Sequence, residues 1–551
     1  MKTMQKKHIL LGLVAMLTGM NACINLDENV YSQVNAEKFY NNRQEVMSAV
    51  LRPFTHANAW AAPTGQVGYW RVNELAGDQL AWPQKGRHGY DGGDWIRLHQ
   101  HTWTVDDPNA WNPWRLIFWG MGFCNNTITD LEKVDFTKIG MTEADKASII
   151  AETKVLRAWH YLKLIDLYGN IPIITTVGEP LNPPNKPRAE VWAFIEKELK
   201  DNVELLQPLA PAMVGRISKA GGYAMLAELY LNAQEWAGTP KWDECITYCD
   251  KIINGEGGSL FGTVPKLETD IMKPFGNANH TSPENLFQIA YDYTVGNARF
   301  GWAGDLWHYN QRFAYNATFG GNNGIVVIPT AFDAFADNDL RKSNWMLIGL
   351  QYKHPAMRSA TDPGDTVLTG TEEYNNKPLI FVKEIRRNSE GETGPGGMTR
   401  GEENSGARFA KYLPGTQLDV NYWNNDFVLY RLAEIYYNKA EALTRKNNNV
   451  PTQTAVDLVN EVRKRAFRVE DWPAAAYTVA TLTMDEFLAE RGREFIFEGK
   501  RRSDMIRFGK FTTNSWWDHT ASNNNKWKIF PIPRRQIIAN PSLEQNPGYV
   551  D

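Results

Sequence analysis

The chain has 551 residues, with 59 Lys and Arg against 63 Asp and Glu, a formal charge of -4. That balance excludes the clustered basic excess of a nucleic-acid binder. The mix of 43% hydrophobic and 22% charged residues is that of a folded globular chain, not a disordered one. A single small core does not suit this length, so several domains or one large layered or repeat-like fold is expected.

In chain order, the first element is a leader. Lys2, Lys6 and Lys7 precede the uncharged run from Ile9 to Leu17, and Thr18 to Ala22 lead to Cys23. A basic start and an apolar core too short to span a bilayer predict a secretory signal over 1–22. Because this is the only strongly apolar stretch, a polytopic membrane protein is excluded. Cys23 after Ala22 points to the lipoprotein form, with the thiol acylated, palmitate included, as the mature N-terminus. Met20 and Asn21 depart from the usual Leu and small residue of that motif, which leaves a plain secreted form as the alternative. Several acyl chains on one Cys make a stable anchor. Loss of 1–22 takes away three lysines and moves the formal charge from -4 to -7.

Beyond the leader, 3.6-residue periodicity predicts helices over 37–57, 109–132, 145–168, 187–206, 218–236, 241–254, 427–446, 452–467 and 483–498. Gly169 and Pro172 stop the third, and Asp426 is placed to cap 427–446. Trp111, Trp114 and Trp119 fall at helical spacing and are assigned to the core. Ala227-Glu228-Leu229-Tyr230-Leu231-Asn232 recurs as Ala433-Glu434-Ile435-Tyr436-Tyr437-Asn438. Small and aromatic residues at such offsets suit degenerate tetratricopeptide-like helix pairs. Long tracts rich in Gly, Asn and aromatics interrupt the helices at roughly 60–108 and 256–425. Loops this long are uncommon unless functional. Ile325 to Ile328 is a candidate strand. The expected fold is mostly α: tetratricopeptide-like pairs forming a scaffold (about 30–60, 109–255 and 426–551), with long loop-rich insertions (about 61–108 and 256–425) and a few short strands. No Pro/Ser-rich linker divides it, so 23–551 reads as one mature unit. Cys124, Cys245 and Cys249 are too few for a disulfide framework, and the absence of a CxxC pair removes the common structural zinc arrangements.

Several of these segments resemble one known family. Arg157-Ala158-Trp159-His160-Tyr161 leads to Leu167-Tyr168-Gly169-Asn170-Ile171-Pro172, and Arg216-Ile217-Ser218-Lys219 follows. Arg431 to Tyr436, Asn460 to Ala466, Arg491 to Asp504 and Arg507-Phe508-Gly509 continue the pattern. Phe530-Pro531-Ile532-Pro533 and Asn540-Pro541 to Tyr549 end it. In this order they resemble the SusD/RagB family of surface lipoproteins of Bacteroidetes. The resemblance implies a partner, a SusC-like TonB-dependent outer-membrane transporter, with a glycan as cargo and the protein acting as a lid. It also implies an outer-membrane location, lipid-anchored at Cys23 and facing the exterior. Asp27-Glu28 resembles the acidic tag of such lipoproteins.

Pyranose rings present apolar faces, so exposed Trp and Tyr rings suit them and polar groups fix the hydroxyls. Gly77 to Pro83 and Gly86 to Trp95 resemble the family segment that supplies glycan contacts. Trp82, Arg87, His88, Tyr90, Asp91 and Trp95 are therefore the candidates of the first tract. Many relatives carry Trp before the Tyr-Asp-Gly-Gly run, where this chain has Gly89, which suggests that stacking has moved to Trp95, Trp82 or Tyr90. The second tract offers Tyr291, Tyr293, Trp302, Trp307, Tyr309 and Asn310. Catalysis is not expected. Glu494 and Glu498 lie four apart on a helix, near the spacing of a glycosidase pair, but Arg491, Arg493, Lys500, Arg501, Arg502 and Arg507 would keep both ionised. His99 and His101 with Asp106 and Asp107 match no established metal site. Asp333, Asp337 and Asp339 lack the Gly and Glu of a calcium loop, and Asp339 with Arg341 fits a family structural motif better. No cofactor or metal is expected. The functional reading is oligosaccharide capture and delivery; peptide capture, as on the RagB side of the family, and a surface glycosidase remain as alternatives.

Overall fold

The computed structural model describes residues 39–63, 67–178, 180–292, 302–317, 320–359, 361, 364–370, 376–414 and 424–550. The leader, Cys23, Asp27-Glu28 and Tyr293 lie outside them. Among the described residues no helix is long and apolar enough to cross a membrane.

The frame before the second tract is carried by α1 (Arg43–Ala61), α2 (Tyr69–Leu75), α3 (Asp94–His99), α4 (Pro108–Lys133), α5 (Glu143–Tyr168), α6 (Arg188–Asn202), α7 (Lys219–Leu231) and α8 (Trp242–Ile253). Each end has a local cause. Asn42 caps α1 through the Glu45 amide, Thr142 and Asp145 form a reciprocal capping box at α5, and Ser218 caps α7. Gly169, with φ 68°, ends α5 where an L side chain would be strained. The second tract and the chain just after it add α9 (Trp302–Leu306), α10 (Leu340–Trp345), α11 (Leu432–Lys446) and α12 (Gln453–Arg463). The C-terminal part supplies α13 (Met484–Phe495), α14 (Arg501–Arg507) and α15 (Arg534–Ala539).

Packing runs in pairs: α1 on α4, α4 on α5, α5 on α6, α7 on α8, α8 on α11 and α11 on α12. The repeated hexapeptide explains how the halves join. Glu228 of α7 is buried and accepts from Lys163 at 2.6 Å; Glu434 of α11, its counterpart, is buried and pairs with Lys500 at 3.0 Å. Asn232 accepts from Arg507 at 3.0 Å, and Asn438 from Arg491 at 3.1 Å. The same residue type at the same offset does the same task twice.

Strands are short and pair antiparallel. β1 (Leu80–Ala81) lies on β3 (Val326–Val327), and β2 (Asn285–Ile289) on β8 (Phe427–Arg431). β4 (Met346–Leu347) meets β7 (Arg408–Phe409), while β5 (Gly349–Leu350) meets β6 (Ile380–Phe381). Two expectations change here. Residues 427–431 form strand β8, because an aromatic and β-branched run finds β2 as partner, and the helix starts only at Leu432. Asp426 does not cap that helix; it accepts instead from the Tyr291 amide and the Gln288 side chain, both at 2.8 Å. Sequence periodicity also passed over α2, α3 and α14, each under two full turns.

Helix α13 is embedded in charge, and it ends at Phe495, so Glu498 does not share a helix with Glu494 as expected: the positive φ of Phe497 turns the chain away. Arg341 pairs with Asp339, Glu490 and Glu494 at 2.8–2.9 Å, and Arg431 with Glu284, Glu494 and Glu498 at 2.8–2.9 Å. Lys411 meets Glu498 at 2.6 Å. Burial alone would raise the Glu494 carboxyl, but Arg431, Arg465 and Arg341 outweigh it and hold it at about 2. Glu498 is lowered too, burial being outweighed by Arg431 and Lys411. Neither can serve as a neutral acid near pH 7. Asp339 caps α10 and clamps Arg341, which is a structural role.

Candidate glycan-binding site

The first tract builds its site on backbone geometry. Gly86, Gly89, Gly92, Gly93 and Asp91 all have positive φ, so the Gly-rich sequence follows from a run of left-handed turns. Gly89 shows why no Trp stands there. Its φ is +77°, and a Cβ would sit 2.8 Å from Trp82 Nε1 and 3.0 Å from the Pro83 carbonyl oxygen. Helix α3 then carries Trp95 inward. Arg97 ties the loop down, donating to both Asp107 oxygens at 2.7–3.1 Å and to the Gly92 carbonyl at 2.9 Å.

Trp82 and Trp95 stack on each other, ring centroids 4.7 Å apart and planes 8° apart. Both are buried, and the Arg71 guanidinium lies 5.2 and 5.4 Å from the two rings. Arg71 in turn pairs with Asp305 of α9, whose other oxygen accepts from Asn322 at 2.8 Å. Lys85 donates to the carbonyls of Asn323 and Gly324 at 2.7 and 2.6 Å. These bonds bring the two tracts together, although more than 200 residues separate them.

The open surface is different from the one the loop aromatics suggested. The rings of Trp82 and Trp95 face each other and Arg71, not solvent, so the stacking expected of them has no open face here. Tyr90 is 53% exposed, and Arg87, His88 and Asp91 are exposed beside it. Asp91 accepts from Trp95 Nε1 at 2.7 Å, which links this polar rim to the buried indole pair. In the second tract Trp307 is fully buried and stacks on Tyr315 at 4.7 Å. Tyr309 is half-buried against His308, at 4.0 Å. Asn310 holds the Leu368 carbonyl at 2.7 Å. Trp302 opens α9, its side chain lying outside the described part. Tyr291 is buried elsewhere, lining a cleft of about 480 Å³ with Phe261, His280, Asp292 and Asp426. Sequence reasoning missed that cleft, since its residues are scattered from 211 to 426. Burial, aided by Asp292, pushes the Asp426 carboxyl up to about 7.

The core assignment of three tryptophans is corrected in part. Trp114 is core, Trp111 is half-buried, and Trp119 is 52% exposed, so its assignment to the core is corrected. Helical spacing placed it, but its face of α4 has no covering element among the described residues. His99 ends α3, and it lies buried with His101 and His519 against Trp516 and Phe511. No group of His, Cys, Asp or Glu that could hold a metal ion occurs among the described residues.

Two family models match the chain: "SusD family" over residues 283–549 and "Starch-binding associating with outer membrane" over 26–231. The starch-binding protein SusD of Bacteroides thetaiotaomicron is 26% identical over 519 residues, covering 88% of this chain and 86% of that protein. A laminarin-binding SusD-like protein has the same fold, with a TM-score of 0.66 at 19% identity over 93% of this chain and all of that one. Surface glycan-binding protein A from Bacteroides thetaiotaomicron, solved with laminarihexaose, gives 0.68 at 20% identity over 92% and 99%. With the two family models matching successive parts of the chain and the paired-helix fold in place, the chain belongs to the SusD/RagB family.

Proposed function

We propose that this protein captures oligosaccharides at the cell surface and delivers them to a SusC-like TonB-dependent transporter of the outer membrane, anchored there through acylated Cys23. The observation that carries the capture step is the rim of the first tract. Tyr90 offers an open ring, and Arg87, His88 and Asp91 stand beside it with the donors and acceptors that hydroxyls need. The loop beneath is fixed by Arg97 and by the Trp82–Trp95 pair, so little ordering cost falls on binding. Trp307, Tyr309 and Asn310 support the reading as part of the wall behind the rim, joined to it through Arg71 and Asp305. Residues 23–551 act in it as one unit. Relatives described as binding starch and laminarin support a glucan-like ligand class.

The test is binding of the soluble form lacking 1–23 to a panel of neutral and acidic oligosaccharides, followed by Tyr90→Ala. Affinity should fall by about tenfold, the worth of an aromatic platform of ~1.4 kcal/mol, with the melting temperature unchanged. Unchanged affinity would remove Tyr90 from the site. Trp95→Ala should differ in kind, lowering melting temperature as well as affinity.

A further inference from the structure

The face of α4 turned away from the core carries an ordered row. Trp111, Arg115, Trp119 and Phe123 recur every four residues, which places them on one inclined ridge about 18 Å long. None of them is buried, whereas Leu116, Ile117, Met121 and Cys124 of the same helix are core. Trp119 is 52% exposed, and a Cβ added at the nearby Gly122 would meet open space. Beside the row lies a cleft of about 290 Å³, bounded by Leu181 and by the amide side chains of Gln536 and Asn540. Its walls are fixed. Asn540 donates to the Pro183 carbonyl at 2.8 Å, and Asn185 to that of Glu544 at 3.0 Å.

Each ring of the row carries a guanidinium. Arg535 lies 4.7 Å from Trp111, Arg115 4.7 Å from Trp119, and Arg52 of α1 4.3 Å from Phe123. Arg52 and Arg115 reach a common neighbour: burial lowers His56, which packs on Phe123 at 5.1 Å, and both arginines lower it further. None of the three has a carboxylate within ion-pair distance among the described residues; Arg115 holds the Asn112 side-chain oxygen at 3.3 Å. Stacking uses the flat face of a guanidinium and leaves its N–H edge for the paired oxygens of an anion. The row thus alternates apolar ring surface with cations that lack an acid.

An acidic oligosaccharide has the complementary alternation. Each pyranose offers an apolar C–H face, and each uronate or sulfate group offers anionic oxygens to a guanidinium. A neutral glucan would leave all three cations without an acid. A single-stranded nucleic acid alternates bases with phosphates, but a formal charge of -4 opposes so dense a polyanion. We infer that the α4 ridge is a second carbohydrate site, selective for oligosaccharides bearing carboxylate or sulfate groups, with Trp119 as platform and Arg52, Arg115 and Arg535 holding the anions. It shares no residue with the rim around Tyr90 and does not depend on what that rim binds.

The test uses the full-length chain in detergent with three probes of matched length: oligogalacturonate, sulfated dextran and unmodified dextran. At least one anionic probe should bind about tenfold more tightly than dextran, and added salt should weaken it. Binding of only one of the two assigns the anion as carboxylate or sulfate. Trp119→Ala with Arg535→Gln, both exposed, should cut that affinity by about tenfold while melting temperature and dextran binding stay unchanged. Arg52→Gln, which leaves α4 itself intact, should weaken the anionic probe alone. Equal affinity for all three probes would overturn the inference, as would full anion affinity in the double variant. Tighter binding of an oligodeoxythymidine of the same length would also overturn it, and make the ridge a nucleic-acid surface.

Discussion

Gly89 sets the shape of the loop that presents Tyr90. The position is left-handed, and its missing Cβ leaves room for the Trp82 indole nitrogen and the Pro83 carbonyl. Gly89→Ala should therefore destabilise the protein by about 1–3 kcal/mol, measured by denaturant unfolding. It should also weaken oligosaccharide binding, because the loop that presents Tyr90 would be re-aimed. An unchanged midpoint would show that the loop can relax around a side chain. The histidines behind this loop set a second residue-scale expectation. Burial lowers His99 to about 3 and His519 to about 4, and it lowers His101 well below its ordinary value of 6.5. Below pH 6.5 the unfolded chain then binds more protons than the folded one, so stability falls as pH drops. Thermal melting should decline progressively from about pH 6.5 towards pH 3, and His99→Phe, which keeps the ring contacts with Trp516 and Trp517, should flatten that slope.

At the scale of elements, α13 has a structural role. Its glutamates sit among guanidiniums that have left water, so removing one charge strands its partners. Glu494→Gln should cost about 3–5 kcal/mol of stability by leaving Arg431, Arg465 and Arg341 partly unpaired. No reducing ends should appear from any oligosaccharide with either the wild-type or the variant chain. Much of this level was legible in the sequence. The long helices announced themselves because an apolar stripe repeats over several turns. The cations that hold Glu494 and Glu498 did not: they are Arg341, Arg431, Arg465 and Lys411, distant in sequence, while the flanking Arg491 and Arg501 pair with Asp504 and Asp78. The short helices α2, α3 and α14 did not, since fewer than two turns cannot establish a period. Strand β8 was hidden for another reason. Its residues fit the stripe of α11, and only the distant β2 settles the choice. The site was legible in its residues and not in their exposure. Trp82 and Trp95 look alike in sequence to any platform indole, and what buries them is Arg71 arriving from α2 and held by Asp305.

Over the whole molecule, the repeated asparagines of α7 and α11 are completed from one place. Arg491 and Arg507 fill both repeated asparagines, and Arg502 reaches Asp166 of α5 at 3.0 Å. The Phe497 carbonyl receives Trp70 at 2.9 Å, the Phe530 amide donates to the Leu167 carbonyl at 2.7 Å, and Asn546 donates to the Tyr168 carbonyl at 2.7 Å. Helices made first are thus closed by the segment made last. The consequence is one of timing. A growing chain that lacks residues beyond 490 leaves Asp166 and Glu434 without Arg502 and Lys500, and Arg431 without Glu494 and Glu498, and so should stay open until synthesis is nearly finished. For the exported lipoprotein proposed above, the lock would sit at the end of the thread.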